Sequence, residues 1–522
     1  MNKLKLLLKI KFIFYNLLSS KKNLSFNLIE LELNFQNLNF EDQEKLRNIY
    51  LKISNNFNKE KLSKEYYFQT FDWLFFAKKI GGTDNIKIAK KNILLWSQRK
   101  YSFFNDAWKV EIASKRLVNF IYFYDFYSQA LNKKELVAIH DIINSHLIFI
   151  KIYLKNVKYE NLSLNIIKSG LISFLISKES IDSLNKKIVL YLSFCIDKHG
   201  FHKSYNPSVQ AETINALFEI KNIYLYFKRP VAKEIEFQLI NLTSVLKNLF
   251  HKDGSIALFN GANNHNNELF MKIINQNFDV RTKKLINIKN GIAIYSDKNK
   301  KLYFDAVKPT SKTINENLHA STLSFEFSAK KEKIITNCGS LEKRAEKNPE
   351  YLRYSAAHST IILNNTNISE LIDKSSYKRI PHNIIYNNEE TAEKIIIGSS
   401  HDGYLKNFGK IVKRKIYISK SENKISGIDS VISIKKNFKP ISFDIRFHLT
   451  PNCRCVLTNN RKTVLIKTKS NNSWAFKFKN IVRIEESIYI NNGKKIEQNK
   501  QIVISGLIKD IKHIEEWSLA AI

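Results

Sequence analysis

From about Glu41 to Leu249 apolar residues return every three or four positions, as in SKRLVNFIYFYDFYSQAL, KELVAIHDIINSHLIFIKIYL and AETINALFEIKNIYLYF. That is the period of helices with one buried face. Consecutive helices of this length, joined by short polar turns, predict an all-α domain built from hairpins. After the turn-rich stretch HKDGSIALFNGANNHNN, His251 to Asn267, the period falls to two. GIAIYSDKNKKLYFDAV, STLSFEFSAKKEKIITNCGS and the segment from Lys477 to Ile508 alternate apolar and polar residues between Asn, Gly, Asp and Lys turns. Those are antiparallel hairpins, numerous enough for a sandwich of packed sheets. The predicted order is a basic amphipathic segment over 1–40, a helical domain over 41–284 and a β-sandwich over 285–522, the helical domain ending in a connector from about 266 to 284.

The chain has 522 residues, of which 44% are hydrophobic, with 35 Phe and 23 Tyr, and this excludes general disorder. Its 84 Lys and Arg against 48 Asp and Glu give a formal charge of +36. Such a field suits an anionic partner: nucleic acid, a membrane surface or an acidic polysaccharide. The surplus is nearly all Lys in a chain equally rich in Asn and Ile, so compositional drift of an AT-rich coding sequence explains it as well. No helix-turn-helix, zinc-finger or RNP string points to a specific nucleic-acid partner. Phosphate loops of Walker or dinucleotide type and a G-x-S-x-G elbow are also missing from the sequence.

Cys195, Cys338, Cys453 and Cys455 are too scattered for a disulfide framework, and the C-x-C pair reads as alternating strand residues. The N-terminal MNKLKLLLKIKFIFYNLLSS is interrupted by Lys9 and Lys11, unlike an export signal, and reads as a basic amphipathic helix that packs on the body or makes peripheral contact with a membrane. No run reaches the roughly 18 uncharged apolar residues of a transmembrane span.

Four strings in the β half resemble the heparinase II/III-like family of polysaccharide lyases: NLHASTLSFEFS from Asn317, IITNCGS from Ile334, YSAAHSTIILNNTNIS from Tyr354 and HDGYLKNFGKIVKRKIYIS from His401. In the helical half ENLSLNIIKSGL, from Glu160, and GFHKSYNPSVQAETINAL, from Gly200, are similar to the family more weakly. The resemblance implies an α+β multidomain protein, an incomplete α/α toroid followed by an antiparallel β-sandwich. It also implies β-elimination on a uronate-containing acidic glycan. That chemistry needs a group that neutralises the C5 carboxylate, a base for the C5 proton and an acid for the departing oxygen.

Residue by residue, the resemblance places Asn161 at the neutraliser, although an N-cap fits equally well. The family's catalytic Tyr aligns with Val209, followed by Gln210, and neither exchanges a proton. The first His of the family's His-x-His-Ala-Asp string is replaced by Asn317, while the second is kept as His319. His319, Asn337 and His358 occupy the positions of a zinc site found in some members, with an amide where the family has a carboxylate. Either Cys338 substitutes there or the site is metal-free; paired hydrogen-bonding histidines are the structural alternative. His401 and Tyr404, in HDGY, are the substitute proton-transfer candidates, against a Tyr that anchors a turn. Trp96, Trp108 and Arg116, along with Trp73, offer stacking faces and a carboxylate-binding fork on the early helices, with plain core as the alternative for each Trp. Arg414, within Lys413-Arg414-Lys415, and Arg446, near His448 on one strand face, complete the candidate cleft lining. The expected partner is an acidic polysaccharide, bound or cleaved. A catalytically decayed glycan-binding relative is the second reading, and a general polyanion binder the third. The expected compartment is the periplasm or cell envelope of a bacterium, or alternatively the cytoplasm.

Overall fold

Helix-period and strand-period segments separate in the computed structural model as the hydrophobic pattern predicts. It describes residues 43–54, 66–98, 106–264, 267–277, 279–288, 290–308, 318–341, 350–372, 377–435 and 439–522. The predicted N-terminal segment 1–40 and Asn317 lie outside the described residues. The chain divides into two compact units, Met1–Phe194 with Thr213–Leu239, and Cys195–Glu212 with Ile240–Ile522.

The first unit is helical. Its main helices are Gln43–Ser54, Thr83–Gln98, Val110–Tyr122, Lys133–Asn156, Leu164–Ile176 and Asp182–Cys195, the last ending at the unit boundary. Asn132 starts the Lys133–Asn156 helix with a capping box, its side chain accepting from the Glu135 amide while the Glu135 carboxylate accepts from its own. This 24-residue helix is long and apolar enough to cross a membrane. Its Ile139, Ile143, His146, Leu147 and Ile150 are instead buried, and it packs on Thr83–Gln98, Val110–Tyr122 and Leu164–Ile176.

The second unit carries the strands. In chain order they are β1 (Gly291–Ser296), β2 (Lys300–Ala306), β3 (Phe325–Ala329), β4 (Glu332–Thr336), β5 (Ile361–Leu363), β6 (Glu370–Leu371), β7 (Tyr377–Arg379), β8 (Ile384–Glu390), β9 (Lys394–His401), β10 (Lys410–Ser419), β11 (Lys424–Ser433), β12 (Ile441–Leu449), β13 (Arg454–Leu457), β14 (Thr463–Lys467), β15 (Ser473–Phe478), β16 (Val482–Tyr489), β17 (Glu497–Ile508) and β18 (Lys512–Ala521). One sheet runs β1-β2-β3-β4-β12-β17-β16, with β5 also on β12, and the other β13-β14-β15-β18-β11-β10-β9-β8. All their pairings are antiparallel, and the inward-facing residues of both sheets form one core. At its centre Phe325 of β3 stacks on Trp517 of β18, ring centres 5.4 Å apart and 6° from parallel. Gly427 makes room for that indole, since a Cβ there would stand 2.1 Å from it.

The β unit begins earlier along the chain than residue 285. The hairpin around His251 and the loop after it are bound into β2, β3 and β4: Tyr303 donates to the Asn248 carbonyl (2.9 Å), Lys301 to Phe250 O (2.7 Å) and Lys333 to Ile256 O (3.0 Å). Glu326, fully buried on β3, accepts from His251 Nε2 (2.8 Å), Leu258 N (3.1 Å), Asn337 N (2.9 Å) and Thr336 Oγ1 (3.1 Å). Charge on Lys333 and these donors outweigh desolvation and bring its carboxyl down to about 2.

Candidate functional site

Within the β unit four loops bring polar side chains together. Asn206 caps the helix Pro207–Tyr226, its Oδ1 accepting from Ser208 N (2.8 Å) and Val209 N (3.3 Å), with Pro207 at the first helical position. Its Nδ2 donates to Asn260 O (2.8 Å). Asn260 in turn donates to Tyr205 O (3.2 Å) and accepts from His319 N (3.1 Å). Tyr205 (φ 48°) and Asn260 (φ 53°) both hold left-handed backbone, a strain that folds keep where the surroundings enforce it. Next to Asn260, Gly261 (φ +87°) leaves the site open: a Cβ there would stand 3.4 Å from Asn206 Nδ2, 3.5 Å from His319 Nε2 and 4.0 Å from Ser340 Oγ.

His319 is half-buried, and its Nδ1 lies 3.3 Å from Nε2 of the buried His358. Burial, then the neighbouring His358 and Arg353, hold the His319 imidazole well below its ordinary value, and burial takes His358 to about 3. Both rings are neutral at pH 7. His358 Nδ1 has no hydrogen-bond partner among the described residues. A buried N–H without an acceptor is the costlier arrangement, so His358 carries its proton on Nε2 and donates it to His319 Nδ1. That leaves His319 with its proton on Nε2, at the Gly261 opening. There it can donate to a ligand oxygen, together with the second proton of the Asn206 amide, while the Ser340 hydroxyl, given to Leu341 O (3.2 Å), can accept.

The residues at the zinc positions do not fit the metal. The two histidines are bonded to each other, and Asn337 spends its Oδ1 on Ser359 N (3.1 Å) and its Nδ2 on Leu258 O (3.4 Å). Cys338 does not substitute. Its thiol faces His448 Nδ1 at 3.6 Å, and burial pushes it up to about 12, so it stays protonated. Among the described residues no three His, Cys, Asp or Glu side chains group as metal ligands.

Several predicted contact residues are placed elsewhere. Arg414 is buried inside the sandwich. It forks onto Asp429 (Nε–Oδ1 2.6 Å, Nη2–Oδ2 2.9 Å) and donates through Nη1 to the carbonyls of Leu323 (2.9 Å) and Ser359 (2.7 Å). It therefore faces no ligand but holds the two segments that carry His319 and His358. Tyr404 is fully buried, its hydroxyl donated to Thr366 O (2.9 Å), and desolvation raises its pKa, so it takes the turn-anchoring role and not proton transfer. His401, also buried, accepts from Gly403 N (3.1 Å), and burial takes it to about 3. Arg446 lies in a cross-strand ion-pair face with Asp444 (2.9 Å) and Glu485 (3.3 Å).

In the helical unit Arg116 is core and not a carboxylate fork. It lies 4.1 Å from the centre of the Trp96 ring and donates to Gln69 O (2.8 Å), Ala107 O (2.8 Å) and His146 Nε2 (2.9 Å). Trp96 and Trp108 are buried against it and Trp73 is fully buried as well, which leaves no face for a sugar ring. Asn161 is exposed in a 3-10 turn, and the helix that follows is capped by Ser163, whose Oγ accepts from Ile166 N (3.2 Å). The capping alternative for Asn161 is thereby corrected.

Residues 289–514 match the heparinase II/III-like C-terminal family model. Heparan sulfate lyase HepC from Pedobacter heparinus aligns with TM-score 0.63 and 12% identity, over 98% of this chain and 88% of that one. A heparinase III crystal structure aligns with TM-score 0.69 and 11% identity, over 98% and 89%. A curated relative, FtsZ-localized protein C of Caulobacter vibrioides, is 20% identical over 360 residues, 65% of this chain and 61% of that protein's own length. A helical N-terminal region, a sandwich of antiparallel sheets and the family match over its strands have one reading: residues 289–514 are a heparinase II/III-like C-terminal domain, in a chain whose fold is that of the polysaccharide lyases it aligns with.

Proposed function

We propose that the protein binds a uronate-containing acidic polysaccharide at the Asn206–Asn260–His319–Ser340 loop site and lacks the full set of groups for β-elimination. One observation carries the reading. A site of neutral donors is built around His319, while Val209 stands at the family's tyrosine position and the substitute Tyr404 spends its hydroxyl inside the sandwich. Neutral donors orient a carboxylate and ring hydroxyls; elimination needs in addition an acid for the leaving oxygen. The retained, half-buried His319 favours a second reading, slow elimination with this imidazole as the sole proton-transfer group.

Titration with heparan sulfate, hyaluronan, alginate and pectate, while ultraviolet absorbance of unsaturated uronate ends is followed, separates the two. Binding that His319→Ala weakens, with no absorbance growth, is expected. Absorbance growth abolished by His319→Ala establishes the lyase, and the failure of every polymer to bind overturns both readings. The location we infer is the cell envelope. The curated relative, named for localising with FtsZ, suggests the division site as the place to look, and imaging of a fluorescent fusion checks it.

A further inference from the structure

A cleft of 640 Å³ lies in the β unit and shares no residue with the His319 site. The 282–286 segment, the β1–β2 hairpin, the ends of β8 and β9 and the β10–β11 turn line it. Its walls are fixed. Ile294 N donates to Leu285 O (2.9 Å), Tyr386 to Ile286 O (2.6 Å), and the buried Lys300 to Glu422 O (2.8 Å). Five lysines line it, Lys283, Lys284, Lys298, Lys300 and Lys420, against two carboxylates. Both carboxylates are committed: Asp297 to Tyr295 (2.7 Å), Lys300 (3.3 Å) and two backbone amides, and Glu390 to Lys420 (2.8 Å). Lys283 reaches the Asn241 amide, the charge of Lys284 acts on Glu390 alongside that of Lys420, and Lys298 is exposed at the hairpin turn. Five lysines against two carboxylates leave this preformed cleft a surplus of three positive charges, beside the half-buried ring of Tyr295, whose orientation Asp297 fixes.

We propose that this cleft is a second carbohydrate site, taking a short carboxylated or sulfated oligosaccharide. Its volume suits several sugar rings and exceeds what a lone inorganic anion fills. Ammonium groups on flexible stems meet scattered acidic substituents, and the tyrosine ring offers an apolar face to a pyranose. That the same polymer spans this cleft and the His319 site rests on the function proposed above; occupation of the cleft does not. With two such points a long chain gains affinity by effective concentration.

The test is calorimetric titration of the full chain with a sulfated, uronate-containing hexasaccharide. Lys284→Glu/Lys298→Glu is compared with Lys133→Glu/Lys134→Glu, which makes the same charge change at an exposed helix start, where acidic residues are favourable. The cleft variant is expected to lose about tenfold in affinity, or one binding event, while the control stays within about twofold. Equal loss in both variants assigns the binding to the general field and overturns the proposal, as does no loss in either. His319→Ala separates the two sites: if it removes all binding and the cleft variant removes none, the cleft proposal falls and the loop site stands; the converse leaves the cleft and removes the loop site. An oligonucleotide of equal charge that binds more tightly than the hexasaccharide also overturns the carbohydrate assignment.

Discussion

Arg414 shows what one residue does when its strand phase is taken seriously. The run Lys413-Arg414-Lys415 reads as a basic lining, but β10 alternates, and Arg414 shares the inward phase with Val412 and Ile416. Opposite it on β11 the same alternation turns Asp429 inward, in direct register. The pair was therefore legible from strand period, whereas its purpose was not: the carbonyls of Leu323 and Ser359 that it holds lie far away in sequence. Arg414→Met strands a buried carboxylate and should cost about 3–5 kcal/mol in urea denaturation. Lysine cannot reproduce the fork and should not rescue. Arg414→Met/Asp429→Leu should recover only part of that stability, since the buried Trp517 Nε1 loses the same carboxylate (3.0 Å), and should still bind glycan more weakly, because the His319 and His358 segments lose their anchor. Full recovery of binding would make the pair merely structural.

The buried histidines act at the same scale. Burial holds His358, His401 and His448 at about 3 each, below the ordinary 6.5. As pH falls below about 6.5 the unfolded chain takes up protons that the folded one refuses. Stability is thus fully present above that pH and is lost toward 3, by up to about 1.4 kcal/mol per pH unit for each histidine. Urea midpoints measured between pH 7.5 and 4.5 should fall steeply. His448→Gln, whose ring now donates Nε2 to Ala356 O (3.0 Å) and accepts at Nδ1 from Ser487 (2.8 Å), should flatten the slope by about one proton. An unchanged slope would mean that the imidazole is charged in the folded state.

At the scale of elements, period decided most of the architecture. The strongly alternating β10 and β11 and the amphipathic Lys133–Asn156 helix are where the pattern places them, since each has one face that must be buried. Loops were harder, because their partners are distant in sequence. The Asn-Gly pair at 260–261 signals a turn, but nothing local says that its carbonyl caps the Asn206 amide, 54 residues upstream, or that its side chain receives the His319 amide. The Asn-Pro at 206–207 marks a helix start by the same local logic and was the one readable sign of the site's first loop. Buried Trp and Arg in the helical half illustrate the opposite failure. Composition names a sugar platform and a core equally well, and only packing chooses between them.

For the whole molecule the consequence is a boundary. A change of period near residue 285 marks where strands begin, but the compact unit also includes Cys195–Glu212 and Ile240 onward. Removing everything before residue 285 strips Glu326 of His251 and the Leu258 amide, Tyr303 of the Asn248 carbonyl, and Lys301 and Lys333 of the carbonyls of Phe250 and Ile256. All of these are buried polar groups, and each one left unpaired costs about 1–3 kcal/mol, more where it is charged. Together they exceed much of the margin of about 5–15 kcal/mol by which domains are stable. A fragment of residues 285–522 should therefore show strand content by circular dichroism but no cooperative thermal transition, and should bind no acidic glycan at the loop site, since His319 has lost Asn260 and Asn206. The full chain should unfold cooperatively under the same conditions. A sharp, reversible transition in the fragment would mean that the 240–264 segment is an accessory to the sandwich and not part of its core.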